Sequence, residues 1–341
     1  MGVPAVRSAL TPVLLALALA SCAQGGSPVD VDDGSAGAAA RAWAAPTGPN
    51  PLTPLPTELA LDPQRVALGR TLFNDKRLSG DGLVSCSDCH NLGLGGANGQ
   101  AFSTLPGRKP VGFNVPTVFN VEYEFRYAWN GRFTTLEAQI DFALTAAAAM
   151  GSSWTHVVST LAKDAALVAV FGAAYPDGLN AVTARDALVQ YVRSLVTPNS
   201  RFDRFLRGER PLLAAEQHGY DLFRDYGCVS CHQGINVGGN MYQRFGVMLD
   251  YFEGRGAVKP ADLGRYGTTH DERDRHVFRV PSLRNVALTA PYFHDGSAAT
   301  LQEAITIMGR YQLGRELSAA DSSDIAAFLR ALTGELEGRP L

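Results

Sequence analysis

The sequence predicts a mainly α-helical protein made of two similar halves, and three observations carry that expectation. The pattern Cys-x-x-Cys-His occurs twice, as CSDCH at residues 86–90 and CVSCH at 228–232. A stretch with apolar residues at helical spacing precedes each one, VALGRTLFND at 66–75 and EQHGYDLFRDYG at 216–227. A second helical pattern closes each half, TARDALVQYVRSLV at 183–196 and SSDIAAFLRALTG at 322–334.

Before the first of these elements lies a different kind of segment. Arg7 precedes the apolar run TPVLLALALA at 11–20, which is too short to span a bilayer as a mature helix and fits the core of a signal peptide. LASC, Leu19 to Cys22, looks like a bacterial lipobox. It implies removal of residues 1–21, lipidation of the Cys22 thiol and a protein tethered to the periplasmic side of a bacterial membrane. An ordinary secretory peptide with an incidental cysteine is the alternative, and both readings take the protein out of the cytoplasm. Residues 22–60 are rich in Ala, Gly, Pro, Ser and Asp and end in PTGPNPLTPLP, which reads as a flexible, poorly packed tether.

The two repeated motifs carry the chemistry. Cysteines three apart share one face of a helical turn and can form thioethers to the two vinyl groups of a haem. The adjacent histidine then lies beneath the iron as its axial ligand. Structural zinc would need four ligands per site, and a thioredoxin-like redox pair has no use for a histidine placed this way twice. The chain has five cysteines, Cys22, Cys86, Cys89, Cys228 and Cys231. One lipid anchor and two haems use them all, so none remains for a disulfide although export would permit one. Helix, haem motif, long loops and closing helix are the layout of a class I cytochrome c domain. The expected organisation is therefore an N-terminal domain at 61–200 and a C-terminal domain at 201–341, each with one covalently bound c-type haem.

Composition agrees with a globular chain: 46% of residues are hydrophobic and 18% charged. The net charge of −3 gives no reason to expect a nucleic-acid partner.

Axial ligands follow by elimination. His90 and His232 are the proximal ligands by motif, out of seven histidines. Among five methionines, Met308 in AITIMGRYQLG lies just before the closing helix, where a cytochrome c domain presents its methionine. Met241 and Met248 are the competitors and read better as loop packing. A His/Met pair raises the reduction potential and makes the second haem an electron carrier.

Longer stretches now become specific. CHNLGLGG, PTVFN, WNGR, CVSCHQGINVGGNMYQRFG, VFRVPSLRNVALTAPYFHDGSAATLQEAI and IMGRYQLG closely resemble the bacterial di-haem cytochrome c peroxidase family, which includes the MauG-type protein oxidases. The resemblance runs from about residue 60 to 335. It implies a peroxidatic N-terminal haem, a C-terminal haem that stores and relays an electron, and a tryptophan between them, here Trp129. It also implies a calcium ion at the domain junction, held by the Asn114 side chain and the carbonyls of Thr289 and Pro291, with water completing the oxygen shell. On sequence alone Asn114 could equally be a turn residue and Trp129 a core aromatic. His294 belongs to the family motif PYFHDG, with no role assigned. A homodimer is a further implication.

Two positions depart from the family pattern. The distal-histidine position falls on Pro106, and no histidine occurs between His90 and His156, so this haem lacks that sixth ligand. Proline here is similar to the MauG-type branch, in which the peroxidatic haem is open from the start. The distal glutamate position reads Ala149 in ALTAAAAMG. A positioned general acid or base contributes about 10²–10⁴-fold in rate, so its loss matters unless another group replaces it. Glu137 and Asp141 lie nearby and read more readily as solvated carboxylates. Gln139, which matches a family glutamine, can donate a hydrogen bond but does not readily supply a proton.

The expected function is a di-haem oxidoreductase that uses hydrogen peroxide at the His90 haem. Electrons would come from a small periplasmic cytochrome or cupredoxin, or from a side chain of a partner protein. The competing expectation, which Ala149 supports, is a non-catalytic electron-transfer or sensor cytochrome.

Overall fold

The computed structural model describes residues 1–2, 50–109 and 112–341. Cys22, most of the signal segment and the tether up to residue 49 lie outside the described residues. Among the described residues no single helix is long and apolar enough to cross a membrane.

The first half is organised by two crossing helices. Helix α1, Pro63–Phe73, starts where the Asp62 carboxylate accepts hydrogen bonds from the amides of Gln64 and Arg65, with Pro63 pre-set in the first turn. The one-turn helix α2, Cys86–Cys89, carries the first motif. Three helices follow, α3 Leu136–Thr145, α4 Trp154–Leu161 and α5 Ala165–Ala174. The half closes with α6, Ala181–Ser194, capped by Asn180. Leu68, Leu72 and Phe73 of α1 pack with Ala187, Leu188 and Tyr191 of α6 in one core. A Cβ on Gly69 would overlap the carbonyl oxygen of Ala187, so the close crossing requires glycine there.

The second half repeats the device. After the short helix α7, Arg201–Leu206, come α8, Ala214–Asp225, and the turn Cys228–Ser230. The one-turn α9, Tyr266–Thr269, precedes α10, Leu301–Leu313, and the closing α11, Ala319–Arg330. Gly219 of α8 meets α11 as Gly69 meets α6, because a Cβ there would overlap the carbonyl of Asp324. Phe202, Tyr220 and Phe328 stack edge-on and tilted around this crossing. All four helices expected from periodicity form, each starting two or three residues earlier than the apolar pattern, where capping side chains and polar first turns extend it.

Among the described residues the β-strands form two short antiparallel pairs. β1, Tyr242–Arg244, pairs with β2, Val277–Arg279, placing Tyr242 opposite Arg279. β3, Glu335–Leu336, pairs with β4, Arg339–Pro340, in the C-terminal tail.

A second repeat joins the halves. Asn120 and Asn285 both sit at positive φ, 61° and 58°, and both follow a proline by four residues. Each amide donates to the end of its own closing helix, Asn120 to Leu195 O at 2.9 Å and Asn285 to Leu332 O at 3.3 Å. Both side chains donate to the Thr197 hydroxyl at 2.8 Å, which ties the two repeats at one buried point.

The chain ends are exchanged across the 200/201 boundary. Leu52 and Leu55 are buried, although PTGPNPLTPLP reads as the end of a poorly packed tether, and that expectation is corrected for residues from 50 onward. Gly234 N donates to Pro51 O at 2.7 Å, and the Arg284 guanidinium to Thr53 O at 2.9 Å. Leu55 N donates to Asp203 Oδ1 at 3.1 Å, so this strap lies on the second half. In the opposite direction, Leu336 and Leu341 pack against the first-half core.

Candidate functional site

The first motif is held by short-range bonds. Ser85 N and Oγ both donate to Asp88 Oδ2, at 2.7 and 2.9 Å, closing the turn that carries Cys86 and Cys89. His90 N donates to Cys86 O at 2.9 Å, which sets the imidazole beside the two thiols. The His90 ring pairs through Nδ1 with Gly96 O at 3.2 Å, which makes Nδ1 the protonated nitrogen and leaves Nε2 as the lone-pair donor. Burial lowers the His90 pKa against the carbonyls of Gly96 and Pro116, so the ring is neutral and fit to ligate. Burial also pushes the Cys86 thiol up to about 12.

The second motif has the same construction. His232 N donates to Cys228 O at 3.0 Å. Burial lowers the His232 imidazole to about 4, opposed by the carbonyls of Val237 and Pro281, and raises the Cys228 thiol to about 11. Gly238 is required here: at φ 130° a Cβ would overlap Pro281 O and lie 3.3 Å from His232 Nδ1. Pro116 and Pro281 open the repeats PTVFN and PSLRN beside the two histidines, but His232 Nδ1, unlike His90 Nδ1, is buried without a hydrogen-bond partner.

This donor set fits covalent haem and does not fit zinc. Each site offers two partly buried thiols and one adjacent imidazole. Among the described residues neither motif belongs to a compact group of three or more histidine, cysteine and carboxylate ligands; Asp262, His294 and Asp295 form such a group elsewhere.

Between the halves lies an aromatic cluster of Phe245, Tyr251, Phe252 and Phe278, and both Trp129 and Met308 pack against it. Trp129 is fixed at two points. Its Nε1 donates to Asn114 O at 2.9 Å, and its own carbonyl accepts from Arg279 N at 2.9 Å. Met308 lies on α10 and is partly buried. Of its competitors, Met248 is 60% exposed and Met241 flanks β1, its carbonyl accepting from Val280 N at 3.0 Å.

The residues expected around calcium lie where the 289–296 loop meets the first half. Asn114 is buried, its N donates to His294 O at 2.7 Å and its Nδ2 to Gln100 O at 2.8 Å, which leaves Oδ1 as the free hard donor. Thr289 packs over Gly95 in the loop after the first motif. Pro291 and Ala101 both border Gly296, where a Cβ would lie 3.2 Å from Pro291 Cγ and 2.6 Å from Ala101 Cα. His294 is buried and its Nε2 pairs with Asp262 Oδ1 at 2.8 Å.

Pro106, Gly80, Leu83, Ala147 and Gly151 line an open cleft of about 490 Å³ beside the segment that leads into Cys86. Ala149 sits in the turn after α3, partly buried, its N donating to Ala146 O at 2.9 Å. Gln139 is on α3 and does not line the cleft, but its Oε1 is buried without a protein partner, as expected of a group that awaits a ligand. Asp141 is engaged on both oxygens, by Trp154 Nε1 at 2.7 Å and Arg185 Nη1 at 2.9 Å. Glu137 is exposed. Asp141 is therefore not free to replace the missing glutamate, and Glu137 faces solvent.

The sequence reading missed Arg279 and Glu124, a buried ion pair behind the tryptophan loop; Arg279 Nε also donates to Ala128 O at 3.3 Å. The available signal was an arginine inside the apolar run VFRVPSL.

Comparisons with known proteins agree with this geometry. A family model described as di-haem cytochrome c peroxidase matches residues 63–211. The cytochrome c peroxidase Ccp of Escherichia coli K12 is 42% identical over 286 residues, covering 83% of this chain and 61% of that protein. Cytochrome c551 peroxidase of Nitrosomonas europaea is 38% identical over 292 residues, covering 84% of each. The chain belongs to the di-haem cytochrome c peroxidase family. Membership implies haem cofactors and agrees with the mainly helical fold. The crystal structure of a MauG-like protein associated with microbial copper homeostasis superposes with a TM-score of 0.74 at 31% identity, over 86% of this chain and 95% of that one. The MauG-like branch is thus represented among the relatives, and this chain spans somewhat under two thirds of the longer E. coli peroxidase.

Proposed function

We propose that this is an exported, lipid-anchored peroxidase in which residues 61–200 bind hydrogen peroxide at an open haem on His90 and residues 201–341 relay electrons. Haem iron supplies the redox chemistry. Cys86 and Cys89 fix one haem, Cys228 and Cys231 the other, and His90, His232 and Met308 hold the irons. Pro106 leaves the distal cleft open, and Gln139, which does not line the cleft, keeps its buried Oε1 as an unpaired acceptor on α3. Trp129 is the observation that carries the reading: a first-half residue anchored on Asn114 O, it packs against the second-half aromatic cluster that Met308 also contacts. A calcium ion on Asn114 Oδ1 and the carbonyls of Thr289 and Pro291 would lock the seam behind Trp129. The donor is a small periplasmic cytochrome or cupredoxin, or a side chain on a partner protein as in a MauG-like reaction, and a homodimer is the proposed assembly.

A specific observation favours a second reading. With Ala149 in place of the acid–base group and Asp141 held by Trp154 and Arg185, the cleft lacks a free carboxylate, as in an electron-transfer or sensor cytochrome. Adding peroxide to the haem-loaded protein with excess reduced small cytochrome separates the two. Catalytic oxidation of the cytochrome supports the peroxidase, and its absence leaves the carrier.

A further inference from the structure

The distal cleft holds one cationic side chain among its described lining residues, Arg108. It is only 8% exposed. Nη2 donates to Asp81 Oδ2 at 2.7 Å, on the partly exposed rim. Nη1 is buried and has no hydrogen-bond partner. An unpaired buried guanidinium nitrogen is costly, and native proteins keep such groups where a ligand completes them.

Two ligands could do so, a haem propionate or a small anion in the cleft. Burial raises the Cys89 thiol pKa, while the Ser103 hydroxyl, 3.4 Å from the sulfur, and the Arg108 charge act in the opposite direction. Arg108 lines the open cleft itself, beside Pro106 and Asp81, and that favours a small anion there.

We propose that Arg108 is the anion-binding residue of the distal cleft, its Nη1–H donating to a small anion, hydroperoxide in the reaction and fluoride or azide as probes. The proposal rests on the reading of the His90 site as open. Arg108 supplies charge and a hydrogen bond but no proton, since a guanidinium stays protonated. It therefore restores the electrostatic part of what Ala149 removed, and proton movement falls to water in the open cleft. Its position two residues after Pro106 explains how one loop both clears the sixth position and furnishes a ligand-binding group.

Equilibrium titration of the haem-loaded ferric protein with fluoride and with neutral imidazole, followed in the Soret band, tests this. Arg108→Gln weakens fluoride binding about 10- to 100-fold, the loss expected for one charge-assisted hydrogen bond, and leaves imidazole binding unchanged. Arg108→Lys restores part of the fluoride affinity. Asp81→Asn removes the counter-charge and tightens fluoride binding, a gain that damaged folding cannot produce. If fluoride affinity is the same in Arg108→Gln, or if fluoride and imidazole weaken together, Arg108 is structural and the proposal is wrong while the open site stands. If the unmodified protein binds neither ligand, the open-site reading falls and takes the proposal with it.

Discussion

Replacing Asp203 by alanine removes the anion at the centre of the buried clasp that holds the N-terminal strap. Asp203 and Arg284 are 0% and 1% exposed, and Arg284 Nη1 lies 2.7 Å from Asp203 Oδ1. The same carboxylate also accepts from Leu55 N at 3.1 Å, Ser200 N at 3.1 Å and Ser200 Oγ at 2.7 Å. Alanine leaves the guanidinium buried with only neutral partners, the carbonyls of Ile235 and Thr53 and the Ser200 hydroxyl, and strands two amides as well. Breaking a buried pair from one side costs about 3–5 kcal/mol. With a urea dependence of about 3 kcal/mol/M, the midpoint moves down by about 1–1.7 M. Because Leu55 loses its acceptor, limited proteolysis within residues 50–58 accelerates in the same variant. Arg284→Met on the Asp203→Leu background removes both charges and recovers much of the stability, since an apolar replacement of a buried pair is often near neutral. A loss below about 1 kcal/mol for Asp203→Ala would show that water reaches the clasp and that the strap is not anchored there.

Four further outcomes follow from other sites. Trp129→Phe removes the indole N–H bonded to Asn114 O, and turnover with a reduced cytochrome falls while fluoride binding at the ferric protein does not change; equal loss of both contradicts the relay role. Gly219→Ala forces a methyl group against the carbonyl of Asp324, and thermal or urea unfolding shows a loss of at least about 3 kcal/mol, the upper range for overpacking. Asn114→Ala removes the proposed side-chain ligand for calcium, so chelation lowers the melting temperature of the parent protein but not that of the variant. His218 bonds Asp324 through Nδ1 at 2.7 Å, which raises its pKa above 6.5. Its stabilising effect is therefore complete below pH 6.5 and fades as pH rises through the higher folded-state value, so His218→Gln destabilises in acid and has little effect in base.

How much of this was legible depends on the range of the interaction. The haem motifs and the four long helices are written in contiguous residues at fixed spacing, and caps such as Asp62 and Asn180 only lengthen what the periodicity already shows. The strap was not legible, because PTGPNPLTPLP has the composition of a linker while Asp203 and Arg284 bind it from 148 and 231 residues away. Asp141 reads in sequence as a solvated carboxylate beside Glu137, and only α4 and α6 bring Trp154 and Arg185 to bond it. Trp129 was marked by resemblance, but its double anchorage needs β2 folded against the first half. Arg108 lay two residues from the noted Pro106, and only burial with one unpartnered nitrogen distinguishes it from a surface cation.

The most direct test of the central claim is rapid mixing of the diferric, haem-loaded protein with a few equivalents of hydrogen peroxide, followed in the Soret band. An open His90 site that reacts without reductive priming predicts a fast, stoichiometric change that added reduced cytochrome reverses. No change in either the diferric or the half-reduced protein would contradict the peroxidase reading and leave an electron carrier.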